Sequence, residues 1–246
     1  MLGDDSSIGN EGIISRSIRK LFDAKAQIEE NSKGEKQISM TVELLEIYNE
    51  KVQDLLATNN VRAGDEKKSL KIAGNKAVGS IHQVIKSEAE VLEILKNAQE
   101  RRIVKSTLSN ATSSRSHLLF TLNFCVSSKD GTKKVGKLRI CDLAGSERLS
   151  KSGATGSLLK ETQHINLSLS NLSNVIEGLQ KGEKIVNYRD SSLTNLLKDS
   201  LGGNSKTICI VCCNPLQTHF HETLCSLRFA AKINKVALKS VQNFIA

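Results

Sequence analysis

The chain has 246 residues, 39% hydrophobic and 25% charged, which is enough for one sizeable core. No apolar run approaches the roughly 20 residues that a membrane-spanning helix needs, and the opening MLGDDSSIGNEG is too acidic and polar for a signal or transit peptide. A formal net charge of +9 favours a polyanionic partner, while aromatics at 3%, with no Trp, leave few platforms for stacking single-stranded bases.

The elements then follow in chain order. ISMTVELLEIY (38–48) predicts a strand, and SEAEVLEILKNAQERRIV (87–104) a helix capped by Ser87. HLLFTLNFCVSS (117–128) and KVGKLRICDL (134–143) predict two strands joined by the turn KDGTKK. The tract 158–180 places Leu158, Leu159, Ile165, Leu169, Leu172, Val175, Ile176 and Leu179 at helical spacing. SLTNLLKDSL (192–201) predicts a helix closed by Gly202 and Gly203. TICIVCCNP (207–215) predicts a buried strand, and HETLCSLRFAAKINKV (221–236) a last amphipathic helix. Residues 57–69 and 148–157 are polar, as surface connections are. The alternation predicts an α/β fold without internal repeats.

The cysteines, at 125, 141, 209, 212, 213 and 225, lie mostly in apolar runs, which predicts reduced, buried thiols of a cytosolic or nuclear protein. Cys209, Cys212, Cys213, His219, His221 and Cys225 form a cluster with the composition of a zinc site. Zinc needs paired ligands on tight turns, whereas Cys209 and Cys213 fall inside a β-type run ending at Asn214-Pro215. No structural zinc is expected.

Two segments carry phosphate chemistry. In KLRICDLAGSE (137–147) an apolar strand ends in Asp142, and Gly145 follows in the turn. A strand-end Asp can hold Mg²⁺ through water, and a Gly beyond it lets a backbone N–H approach a terminal phosphate. Alone, D-x-x-G is a weak signal and reads more readily as an ordinary strand-to-loop turn with a capping Asp. Upstream, NATSSRSH (110–117) gathers hydroxyls ahead of Arg115, which suits Mg²⁺ and γ-phosphate oxygens; alone it also reads as a Ser-rich helix end.

Taken together, NATSSRSH and DLAGSE resemble the switch I and switch II elements of the kinesin motor domain. LLEIYNEKVQDLL (44–56), ETQHINLSLSNLSNVI (161–176), YRDSSLTNLLKDSLGGNSKT (188–207) and SLRFAAKI (226–233) extend the likeness in the same order over nearly the whole chain. The SLRFAAKI ending is most similar to minus-end-directed kinesins with C-terminal motors. The resemblance implies a microtubule-based motor driven by ATP and Mg²⁺, at home on the cytoskeleton and possible spindle microtubules of the cytoplasm, with no nucleic-acid or membrane partner. It implies that Asn110, Ser113 and Ser114 lie near Mg²⁺ and the γ-phosphate, with Asp142 on the Mg²⁺ side and Gly145 sensing the γ-phosphate. Arg115 and Glu147 would form the ion pair that positions the attacking water. Arg148, Lys151, Asn166 and Arg189 would belong to the microtubule-binding face. Ala111, Leu167, Asn187 and Ser192 depart from the family's Glu, Lys, Pro and Lys.

The family's phosphate loop, G-x-x-x-x-G-K-[ST], does not occur in these residues. LGGNSKT (201–207) has Ser205 in place of the second Gly and precedes a strand-like run, whereas the loop must follow one. By resemblance, Met1 falls just after the loop. The expectation is therefore a partial motor domain over 1–246: an incomplete P-loop NTPase-type fold whose central mixed sheet, flanked by helices, lacks the N-terminal strands and Walker A loop. ATP binding by these residues alone is expected to be poor. A second motor or kinesin-like subunit would join through a coiled coil N-terminal to residue 1. The rival reading is a non-catalytic kinesin-like module that holds microtubules or a partner.

Overall fold

The computed structural model describes residues 1, 3, 11–57, 69–108, 115–145 and 157–237, with backbone alone for 101, 103–108 and 157–164. Helix α1 (Ile13–Asn31) leads into the long strand β1 (Lys36–Tyr48) and the short β2 (Lys51–Asp54). A small ribbon of β3 (Ile72–Ala73) and β4 (Lys76–Ala77) precedes β5 (Gln83–Ile85) and helix α2 (Glu88–Leu108). Strands β6 (His117–Ser128) and β7 (Lys133–Asp142) follow, then the long helix α3 (Ser157–Lys181). A 3-10 turn (Tyr188–Asp190), the short helices α4 (Ser192–Leu196) and α5 (Lys198–Gly202), and helix α6 (Phe220–Asn234) complete the described chain.

The sheet runs β2-β1-β6-β7, with β5 also paired to β1. Every pairing among the described residues is antiparallel, so the expected α/β layering holds while the expected mixed pairing does not. The reason lies in 207–215. Reached from β7 through helices, this run would enter the sheet parallel, but it is extended and joins no ladder. Ile208 and Ile210 are 89% and 65% exposed, not buried as expected. An apolar run becomes a buried strand only when it lies against an edge that supplies hydrogen bonds, and 207–215 pairs with no described strand, the far edge of β7 included. Cys209, Cys212 and Cys213 are exposed for the same reason, and Cys225 is exposed on α6, which corrects the expectation of buried thiols.

Both sheet faces are covered, which explains why β1 is apolar on both sides. Ile38, Met40, Val42 and Leu44 face the same core as Ile14 and Ile18 of α1 and Val91 and Leu95 of α2. Leu45 and Ile47 belong to the opposite core, with Leu172 and Ile176 of α3 and Leu193 and Leu196 of α4. Helix α6 is pinned to α3 where Glu177 takes hydrogen bonds from Lys232 (2.9 Å) and Lys181 (2.8 Å).

Three local details differ from the sequence reading. Helix α1 was not predicted, although Ile14, Ile18, Leu21 and Phe22 mark an amphipathic stripe. The helix expected over 192–201 is broken at Leu197 into α4 and α5. Gly203, expected as a left-handed cap, is extended; its role is close approach, since a Cβ there would lie 2.6 Å from the Asp199 carbonyl oxygen. Ser87 does cap α2, accepting from the Glu90 N–H at 3.3 Å.

Candidate functional site

The register of three strands assembles one end of the sheet. Leu118 pairs with Glu46 on one side and with Asp142 on the other, and His117 pairs with Ile47. The first residues of β6 and the last of β7 are therefore neighbours. This places Arg115, just before β6, and the loop Leu143–Gly145, just after β7, at the same end.

His117 occupies the centre of this end. It is 3% exposed, and burial pushes its pKa down to about 4, so the ring is neutral near pH 7. Its Nδ1 accepts the backbone N–H of Ala144 at 3.0 Å, which assigns the ring proton to Nε2. Nε2 lies 2.8 Å from the hydroxyl of Ser168 on α3, and that hydroxyl donates onward to the Ile165 carbonyl at 2.7 Å. Every donor and acceptor in this chain is accounted for. A narrow cleft beside it is lined by Ile47, Asn49, Glu50, Arg115, His117 and Ser168, among others.

A second buried network braces the approach to β6. The Ser116 hydroxyl donates to Glu46 Oε1 at 2.8 Å, and Arg102 of α2 reaches the same oxygen from Nε at 3.0 Å. Arg102 Nη2 also donates to the Ser116 hydroxyl at 2.9 Å. Residues 116 and 117 are thus gripped from α2 on one side and α3 on the other.

The β1–β2 turn adds a third contact. Tyr48 pairs with Lys51 across Asn49 and Glu50, which have φ of 51° and 59°, the two-residue turn geometry that fits the strand twist. A left-handed Glu is strained. Its compensation is a clasp on α4, where the Glu50 carboxylate accepts the Ser192 N–H at 2.5 Å and its carbonyl accepts the Ser192 hydroxyl at 2.8 Å.

Of the residues singled out from the sequence, Arg115, Asp142 and Gly145 fall at this end of the sheet. Asp142 is half-buried, and its carboxylate accepts no hydrogen bond from the described residues. Asn166 is half-buried on α3, next to Leu167, which is 50% exposed. Arg189 is exposed in the 3-10 turn, which Asn171 of α3 holds by donating to the Asp190 carbonyl at 2.9 Å. Asn110, Ser113, Ser114, Glu147, Arg148 and Lys151 lie outside the described residues, so the Arg115–Glu147 pair does too.

The sequence reading did not single out His117, Ser168, Glu46, Arg102 or Glu50. A signal existed for Glu46, a carboxylate inside the apolar run LLEIY, which demands a partner. Nothing local points from His117 to Ser168, 51 positions away.

Comparison with known proteins places this arrangement. Residues 1–236 match the family profile "Kinesin motor domain". The chain is 45% identical over 242 residues to "Kinesin-like protein KIN-14N" of Oryza sativa subsp. japonica, covering 95% of this chain and 31% of that protein. It thus spans about a third of the length of the curated relatives it matches. Among solved structures, a fast kinesin superposes with a TM-score of 0.86 at 34% identity, over 99% of this chain and 68% of that one. A KIF14 dimer, described with AMP-PNP in complex with a microtubule, gives 0.83 at 30% identity over 96% and 68%. Sequence family, relatives and backbone agree: the chain belongs to the kinesin motor-domain family.

Proposed function

We propose that the whole protein is a microtubule-based motor that couples ATP hydrolysis to movement. The observation that carries this reading is the direct tie, through His117, between the DLAG loop and the long helix α3. A motor needs such a connection between its nucleotide side and its track side. Microtubule binding by the similar KIF14 structure supports the same reading.

The described residues fit Mg²⁺·ATP to the extent that a half-buried strand-end carboxylate, which takes no hydrogen bond from the described residues, suits a hydrated cation; Asp142 would hold that side. When bound, Mg²⁺·ATP supplies the transferable phosphoryl group and part of its charge neutralisation. Asn110, Ser113 and Ser114 would help hold the Mg²⁺ and γ-phosphate, and Gly145 would offer its backbone N–H to the terminal phosphate. Arg115 and Glu147 would pair across the two loops and orient the attacking water. Arg148, Lys151, Asn166 and Arg189 would contribute to the contact with the acidic microtubule surface, which suits a net charge of +9 and would make binding salt-sensitive. The resemblance to minus-end-directed kinesins supports minus-end direction, and the dimeric state of the similar KIF14 structure supports a second motor or kinesin-like subunit as partner. Its place is the microtubule cytoskeleton.

A non-catalytic microtubule-holding module is the second reading, favoured by Leu167 and Ser192 where the family carries Lys. Steady-state ATPase of the whole protein separates the two. The motor reading expects turnover that rises with added microtubules and collapses in Glu147→Ala; microtubule binding with no turnover favours the second reading.

A further inference from the structure

We infer that His117 is a positioning residue that makes the loop after β7 and helix α3 move as one body. Ala144 and Ser168 lie on different elements, and a side-chain tie passes a displacement of one directly to the other. His117 supplies that tie across 2.8 Å and 3.0 Å contacts, with its own backbone fixed in β6 between β1 and β7.

Three features make the bridge directional and stiff. The imidazole is planar, so its two nitrogens keep a fixed separation and angle. The accepting nitrogen is set by Ala144, whose N–H can only donate, and this forces the proton onto the nitrogen that faces Ser168. Ser168 in turn sends its proton to the Ile165 carbonyl on its own helix, so rotation of its hydroxyl is also fixed. The whole path is buried: His117, Ala144, Ile165 and Ser168 are 3%, 5%, 7% and 2% exposed. Breaking either end leaves a buried polar atom unpaired, so opening either contact is disfavoured. The consequence for nucleotide-dependent track binding rests on the motor reading above.

Amide exchange across the bridge tests this without nucleotide or track. Ser168→Ala, which touches only the α3 end, is expected to speed exchange of the Ala144 amide about tenfold, the loss of roughly one hydrogen bond. Amides of β1 and α1 should be unchanged, and Ser168→Thr, which keeps the hydroxyl, should restore protection. Ala144 exchanging at the unmodified rate in Ser168→Ala overturns the inference. Imidazole ¹⁵N spectra of the unmodified protein give an independent arm that needs no variant. The expected result is a neutral ring protonated at Nε2 with a coupling from Ala144 N to Nδ1; protonation at Nδ1, or no coupling, overturns it. A further arm compares microtubule affinity in ATP-analogue and ADP states. If the unmodified protein shows no difference, the motor reading fails while the exchange data still decide the bridge. If it shows one that Ser168→Ala leaves intact, the bridge does not couple the two sides.

Discussion

Arg102 on α2 and Glu46 on β1, 56 positions apart, meet in the interior with Nε 3.0 Å from Oε1, their side chains 11% and 4% exposed. A carboxylate this deep is tolerated because the guanidinium and the Ser116 hydroxyl both donate to it. Truncating one partner leaves the other charge buried. Arg102→Ala is therefore expected to destabilise the fold by about 3–5 kcal/mol, measured as a drop in denaturant midpoint with unchanged slope. The paired replacement Glu46→Leu with Arg102→Met should recover most of that loss. Equal losses in single and paired variants would mean that the network contributes through packing alone.

Acid sensitivity should report on His117. Its pKa is near 4 in the folded chain and near the ordinary 6.5 in the unfolded one, because burial disfavours the charged ring. Between those values the unfolded chain takes up a proton that the folded chain refuses, so stability falls as pH drops from about 6.5 towards 4. The contribution lost is roughly 3 kcal/mol, and it is fully present above about pH 7. Chemical denaturation across pH 4–7.5 should show this slope, and His117→Gln should flatten it.

Helix α4 depends on its first hydroxyl. Ser191 is buried and accepts the Thr194 N–H at 3.1 Å, while its hydroxyl also meets Thr194 Oγ1 at 2.9 Å. Ser191→Ala should cost about 1 kcal/mol, within the usual range of N-cap losses, and Ser191→Asp should cost less. Thermal melts of the three proteins provide the comparison.

Strand β7 carries one glycine for a steric reason. Gly136 lies opposite Phe124, and a Cβ there would stand 2.1 Å from the phenyl ring. Gly136→Ala must displace that ring from its packing on the core shared with α1 and α2, at a cost of about 1–3 kcal/mol. In Phe124→Ala the same glycine substitution should cost little. A double-mutant cycle with a coupling near zero would contradict this account.

Much of the frame is legible in the sequence because its signals are local. The runs of β1, β6 and β7 and the spacing of α2 and α3 reveal themselves in windows of ten or so residues. Asp142 and Arg115 are legible through the motifs around them, and register brings their segments to one end of the sheet. The run 207–215 misleads because apolar β-type composition describes what a strand needs and says nothing of whether an edge is there to pair with it. Leu197 carries no breaker residue, so the division between α4 and α5 has no local signal either. The ties that organise the site, from His117 to Ser168 and from Arg102 to Glu46, span 51 and 56 positions and exist only once the sheet has set its register.

Nucleotide-dependent co-sedimentation with microtubules is the most direct measurement of the central claim. With the whole protein at low salt, the pelleted fraction should correspond to at least about fivefold tighter binding with a non-hydrolysable ATP analogue than with ADP. Both affinities should weaken as salt rises. Failure to pellet in any nucleotide state, or identical affinity in both, would contradict a microtubule motor.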